Sequence, residues 1–318
     1  MHQKIWVLGD AVVDLIPDGK NHYLRCAGGA PANVAVGIAR LGGESAFIGR
    51  VGKDPLGEFM QQTLQQENVP TSHMILDPQQ RTSTVVVGLD NGERSFTFMV
   101  NPSADQFLQV ADLPNFQANE WLHCCSIALI NNPSRETTFE AIRRIKAAGG
   151  FFSFDPNLRE SLWSSFEDMK ETVMKAVAFA HVLKFSEEEL MLLTDTQTLD
   201  EAFEKITALY PEKLIIVTLG KDGALYHLAG KKDIVAGKAL KPVDTTGAGD
   251  AFVGGLLSGL SQHVNWQETA VLEQIIRQAN ACGALTTTAK GAMYALPNKA
   301  QLAEFLANLS FTLIARVL

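Results

Sequence analysis

Short apolar runs of strand length alternate with amphipathic stretches of helix length through most of this chain. That alternation restricts the fold to βαβ units built around a parallel sheet. Strands are expected at residues 4–8, 45–51, 121–125, 151–155, 182–185, 214–219 and 224–228, with helices at 30–41, 56–67, 134–148 and 165–180. In such sheets ligands lodge beyond the carboxyl ends of the strands. Polar groups follow several of those ends: Gly9-Asp10, Asp155-Pro156-Asn157 and Gly220-Lys221-Asp222-Gly223. Residues 11–25 and 81–100 break the rhythm and alternate like antiparallel strands, with Asp90-Asn91-Gly92-Glu93 supplying a hairpin turn. There Phe96, Phe98 and Val100 share one face, while Thr97 and Met99 share the other. An apolar face on so small a sheet must cover a pocket or a partner subunit. No repeat, low-complexity tract or linker intervenes, so the chain reads as one α/β domain, 1–318, with an excursion.

Composition narrows the function. The 318 residues, 46% hydrophobic, suffice for a large core. A formal net charge of −8 argues against a non-specific nucleic-acid binder, which needs a basic face. Cys26, Cys124, Cys125 and Cys282 show no CxxC pairing and no metal-ligand spacing, and are expected as buried free thiols. The start, Met1-His2-Gln3-Lys4-Ile5, runs into a strand without the apolar region of a signal peptide. No apolar run of about 18 residues occurs either. No membrane partner is expected, and the reading is cytoplasmic.

The most informative segment is Asp244-Thr245-Thr246-Gly247-Ala248-Gly249-Asp250-Ala251-Phe252. Its glycines permit a tight turn into a helix whose first N–H groups and dipole can hold an anion. Asp250 then lies inside the anion site, where it must take a proton, bind a cation, or serve merely as a cap. No Gly-Lys-Ser/Thr follows, which excludes a Walker A loop. Phe252 stands where a dinucleotide fingerprint needs its third glycine.

Residues 244–257 resemble the C-terminal signature of the ribokinase-like (PfkB) carbohydrate kinases, centred on D-T-T-G-A-G-D. The N-terminal signature is matched by Gly28-Gly29-Ala30-Pro31-Ala32-Asn33-Val34-Ala35 and Ala39-Arg40-Leu41-Gly42. The resemblance runs from about Lys4 to about Phe305. It implies a ribokinase-like three-layer fold: a central, mainly parallel sheet flanked by helices, with a β-sheet lid from about 11–27 and 81–104. It also implies an ATP-dependent sugar kinase.

By that resemblance Asp250 is the base that takes the proton of the attacking hydroxyl. The amides of Gly247, Ala248 and Gly249 form an anion hole for the transferring phosphoryl group, which needs positioning more than covalent chemistry. Asp10, Asp14, Gly28, Gly29, Asn33 and Asn101 are expected to hold the sugar. By residue type alone, Asp10 could equally cap a turn and Asn33 a helix. Asp155-Pro156-Asn157-Leu158-Arg159 resembles the family's D-x-N-x-R segment and points Arg159 at the phosphate or the far end of the sugar. Lys184 through Glu189 resembles K-x-N-x-x-E, with Ser186 in place of asparagine, and implies that Glu189 acts on Mg²⁺ through water. Thr218, Gly220, Gly223, Asn280 and Gly283 match nucleotide-binding positions. A monovalent cation, K⁺, is implied at Asp244, Thr246 and the carbonyls of Thr286, Ala289 and Gly291. Lys290 reads as solvent-facing, and none of the histidines falls in a motif.

Within the family, Asn101-Pro102-Ser103-Ala104-Asp105 resembles the lid exit of fructokinases, as does the opening at residues 5–15. Fructose is therefore the expected substrate, with C6 as the acceptor. Thr288–Met293 is shared with aminoimidazole riboside kinases, so that riboside, ribose and 2-keto-3-deoxygluconate stand as alternatives, in that order. A non-catalytic sugar-binding regulator on this fold would lack the base or the glycines; Asp250, Gly247 and Gly249 are all present. A homodimer joined through the lid is also expected. The apolar residues 309–318 extend past the resemblance and carry no functional assignment.

Overall fold

Side chains that alternate along a strand can serve two cores, and residues 5–8 do so. Ile5 and Val7 enter one apolar cluster while Trp6 and Leu8 enter the other. A strand buried on both faces belongs inside a parallel sheet covered by helices. The computed structural model, which describes residues 3–90 and 93–314, has that form.

Its strands begin with β1 (Ile5–Leu8), β2 (Val12–Pro17), β3 (Tyr23–Gly28), β4 (Ser45–Gly52), β5 (His73–Asp77), β6 (Thr84–Asp90) and β7 (Glu93–Met99). They continue with β8 (Trp121–Cys125), β9 (Phe151–Asp155), β10 (Val182–Ser186), β11 (Leu214–Thr218), β12 (Gly223–Leu228) and β13 (Lys231–Ala236). The helices are α1 (Ala30–Arg40), α2 (Pro55–Gln66), α3 (Ser134–Ala147), α4 (Phe166–Phe179), α5 (Glu187–Thr194) and α6 (Leu199–Leu209). Three more complete the chain: α7 (Ala248–Gln262), α8 (Thr269–Thr286) and α9 (Lys299–Ile314).

Nine strands form the main sheet in the order β13-β12-β11-β10-β9-β8-β1-β4-β5. All pairings from β11 to β5 are parallel, and β12 and β13 add antiparallel strands at one edge. One apolar cluster lies under α1, α2, α7 and α8, the other under α3, α4, α5 and α6. The sheet is thus the middle of three layers.

A separate four-stranded sheet, β3-β2-β6-β7, collects the two irregular stretches. β2 pairs parallel with β6, and each has an antiparallel outer neighbour. Asn91, Gly92 and the Phe96 side chain, invoked above for the hairpin and its apolar face, lie outside the described residues. Val85, Val87, Phe98 and Val100 do line a cavity beneath this sheet. The four cysteines are buried and free, and Lys290 is exposed. The backbone of the apolar tail continues α9 to Ile314; its side chains from residue 309 lie outside the described set. Among the described residues no helix is long and apolar enough to cross a membrane.

One packing detail places the chemistry. α1 and α7 cross where Gly37 meets Gly254; a Cβ built on Gly254 would lie 3.4 Å from the Gly37 Cα. Bulkier residues would push the helices apart. One turn before that crossing on each helix stand Asn33 and Asp250.

Candidate active site

Asp250 sits in the first turn of α7, where Asn33 Nδ2 donates to its Oδ2 at 2.8 Å. The turn before it depends on Gly247, whose φ is +80° and whose added Cβ would meet the Ala292 Cβ at 2.6 Å. The first helical bond runs from Ala251 N–H to Gly247 O at 2.8 Å. Ala248 N–H turns back to Thr245 O at 3.2 Å, which leaves the Gly249 and Asp250 amides as the better anion donors of this open turn.

A cavity of about 560 Å³ lies between this turn, the strand ends and the small sheet. Asp10, Asp14, Gly29, Asn33, Arg159, Lys184, Asp250 and Gly249 line it, so sequence positions from every part of the chain converge there. Asp10 follows β1 and is buried, and its Oδ1 has no hydrogen-bond partner; neither does Asn33 Oδ1. Orphaned buried acceptors are costly, and here two face a cavity of sugar size. Burial and the nearby Asp105 charge push the Asp10 carboxyl up to about 7. Burial alone pushes Asp14 up to about 6. Asp14 fits because Gly28 has no side chain; a Cβ there would lie 2.5 Å from Asp14 Oδ2.

Two adjacent strand ends supply the positive charge. Lys184 Nζ, from β10, contacts both carboxylate oxygens of Asp155, from β9, at 3.1 and 3.2 Å. Burial works against the ammonium, but Asp155, Glu189 and Asp250 outweigh it and hold Lys184 protonated, at about 12. Burial raises the Asp155 carboxyl to about 7; Lys184 opposes that rise, and the nearby Glu189 and Asp250 charges add to it. A Cβ on Gly249 would lie 3.5 Å from Lys184 Nζ, so the ammonium abuts the glycine turn. Burial raises the Asp250 carboxyl, and Asn33, Lys184 and Arg159 oppose that rise. Arg159 itself is exposed and donates to the Leu158 carbonyl at 2.8 Å.

A second cavity, about 350 Å³, opens on the other side of the turn. Thr218, Gly220, Gly223, Ala248, Gly249, Asn280 and Gly283 line it together. Gly249 belongs to both walls. Asn280 Nδ2 is tied to the Val235 carbonyl at 2.9 Å.

Other expectations fare differently. Asn101 is exposed and lines neither cavity, although the neighbouring Val100 does. Glu189 caps α5: its Oε2 accepts Ser186 N–H at 2.9 Å and its Oε1 accepts Leu158 N–H at 2.8 Å. Such a carboxylate suits contact with a metal through water better than direct ligation. Asp244, Thr246 and Gly291 come together, with Thr246 N–H on Asp244 Oδ1 at 3.1 Å and Gly291 N–H on Oδ2 at 3.3 Å. Thr286 is buried at the end of α8, and Ala289 lines a separate depression beside Arg40. Among the described residues no three His, Cys, Asp or Glu cluster as metal ligands, so a cation here would rely on one carboxylate and carbonyls, a donor set suited to K⁺. Sequence reasoning missed Asp155 as the partner of Lys184. It also missed Gly237, Lys238, Ala239, Leu240 and Pro242, which wall the second cavity without a motif of their own.

Comparison with known proteins identifies the family. A family model described as pfkB family carbohydrate kinase matches residues 2–299. The chain belongs to that family and is a phosphotransferase acting on a sugar hydroxyl. Among its relatives, the fructokinase of Vibrio alginolyticus is 57% identical over 304 residues, covering 95% of this chain and 99% of that protein. A fructokinase double mutant of Vibrio cholerae O395, solved with fructose, ADP and potassium ion bound, is 59% identical with a TM-score of 0.91. That match covers 96% of this chain and 98% of the other. An aminoimidazole riboside kinase from Salmonella enterica, complexed with its riboside and an ATP analog, is 42% identical with a TM-score of 0.89. It covers 96% of this chain and all of that one, 100%.

Proposed function

We propose that this protein transfers the γ-phosphoryl group of ATP to D-fructose, giving fructose 6-phosphate. The observation that carries the mechanism is the shared wall: Gly249 faces both cavities, and Asp250 stands beside it facing the sugar side. Fructose itself is supported by the identity to fructokinases, 57% against 44% for an aminoimidazole riboside kinase of Salmonella typhimurium.

The sugar lies in the larger cavity, its hydroxyls donating to the orphaned Asp10 and Asn33 oxygens and to Asp14. Its reactive hydroxyl meets Asp250, which Asn33 orients and which accepts the proton as the oxygen attacks phosphorus. The phosphoryl group crosses at the glycine turn, where the Gly249 and Asp250 amides and the Lys184 ammonium face its growing charge. Asp155 keeps that ammonium in place, and Arg159 guards the solvent side. The nucleotide occupies the smaller cavity with its phosphates at the α7 N-terminus. Mg²⁺, when bound, neutralises charge on the ATP phosphates; Glu189 would hold it through water. K⁺ would sit at Asp244, Thr246 and Gly291, outside the reaction itself. Exposed Tyr23, Leu24 and Met99 on the small sheet support a lid-to-lid homodimer, which sedimentation at micromolar concentration tests.

Product analysis by phosphorus and carbon NMR tests the reaction. The expected product carries phosphate on C6 of fructose. Phosphate on C1 would overturn the assigned acceptor, and no sugar phosphate at all would overturn the assigned substrate.

A further inference from the structure

The β6–β7 hairpin of the small sheet leaves the main body near residue 83 and returns near residue 103, and one carboxylate stands between these two feet. Asp105 Oδ1 accepts the Ser83 hydroxyl from the outgoing foot and the Ser103 hydroxyl, 2.7 Å away, from the returning one. Both serines are buried. Ser103 Oγ also lies 2.8 Å from the Val100 carbonyl, so its single proton serves two acceptors. Across the same gap Ala104 N–H donates to Arg81 O at 2.8 Å.

The carboxylate is anchored from below and connected above. The Asp105 carbonyl accepts the hydroxyl of Ser134 at the start of α3, and that same hydroxyl oxygen accepts Leu108 N–H at 3.0 Å. From Ser83 the path reaches the sheet, where Val13 N–H donates to Ser83 O at 3.0 Å, one residue from Asp14. From Ser103 it reaches Val100, which lines the sugar cavity. Asp105 itself lines neither cavity. Burial pushes its carboxyl above the usual range, a cost offset only by what it holds together.

Resting on the sugar-kinase reading above, we propose that Asp105 is a positioning residue for sugar binding, locking both feet of the β6–β7 hairpin so that Val100, and Asp14 on the paired β2, stay over the cavity. The nucleotide cavity is lined only by residues from Thr218 onward and shares no element with these feet. Loosened feet should therefore weaken sugar binding and spare ATP.

Steady-state kinetics on Asp105→Ala, Asp105→Asn and the double variant Ser83→Ala with Ser103→Ala test this, with sugar and ATP varied in turn. Asp105→Ala should raise the sugar KM about tenfold or more while kcat and the ATP KM stay within about threefold. Asp105→Asn keeps an acceptor oxygen and should recover most of the sugar KM; the double serine variant should fall between. Sugar and ATP KM rising together, kcat falling alone, or an unchanged sugar KM would each overturn the proposal. If Asp105→Ala does not fold, the double serine variant decides by the same criteria. A wild-type protein inert toward fructose would instead overturn the substrate assignment, and the variants would then be read on whichever alternative sugar it phosphorylates.

Discussion

The two cavities that share the Gly249 wall differ in what lines them. The cavity proposed for the sugar sets buried carboxylates and an amide, two of whose oxygens lack partners, among apolar side chains such as Val12, Ile16, Val85 and Phe98. The cavity proposed for the nucleotide has no carboxylate in its lining: glycines and alanines share it with Lys221, Lys238 and threonines, with Leu240, Pro242 and Phe252 as apolar walls. In the proposed reading the first should discriminate by hydrogen bonding, since a sugar lacking the matching hydroxyl leaves buried acceptors unpaired. The second fits by shape and close approach, which costs the fold little. The sugar side should therefore carry both the specificity and the stability penalty.

The largest effect should come from the group at the boundary. Asp250→Asn removes the base while keeping the Asn33 contact region filled, and kcat should fall about 10²–10⁴-fold with ATP binding retained. Retention of more than about a tenth of wild-type kcat would remove Asp250 from that role. A smaller loss is expected from Gly247→Ala. The left-handed φ costs an alanine roughly 1–2 kcal/mol, and its Cβ would press on Ala292 at 2.6 Å. The turn must shift, so kcat should drop about tenfold or more without loss of the folded state. Normal turnover in a folded Gly247→Ala protein would show that the turn does not set the reaction geometry.

The stability penalty of the sugar side is visible through pH. The Asp10 carboxyl rises from 3.8 to about 7 on folding. A raised carboxyl binds its proton more tightly in the folded chain, so its contribution favours folding most below about 4 and is lost as pH climbs toward 7. Asp10→Asn should then be more heat-stable than wild type at pH 8, by roughly 1–3 kcal/mol, with the gap narrowing toward pH 4. Its sugar KM should rise at the same time. An Asp10→Asn protein less stable than wild type at pH 8 would break the contrast between the cavities.

Much of this was legible in the sequence because it follows from periodicity. The seven strands read from apolar runs all form, with ends within a residue or two, since each lies inside the main sheet and is almost wholly buried. The two edge strands of the main sheet, β5 and β13, were not anticipated. β13 reads Lys-Lys-Asp-Ile-Val-Ala, and charge on an edge strand protects it from pairing while erasing its apolar signal. The site shows the same division. Asp250, Gly247 and Asn33 sit in motifs that announce their chemistry; Asp155 and Asp105 also fall within motif segments, but their partners Lys184 and Ser83 are distant in sequence, and residues 237–242 belong to no motif. The exposed Asn101 shows the converse, a motif position whose neighbour Val100 does the lining.

The most direct test compares kcat/KM for fructose, aminoimidazole riboside, ribose and 2-keto-3-deoxygluconate, with ATP, Mg²⁺ and K⁺ present. A preference for fructose of about a hundredfold or more, near 2.7 kcal/mol in transition-state binding, is the predicted result. Equal or better turnover of aminoimidazole riboside would contradict the assignment of this cavity to fructose.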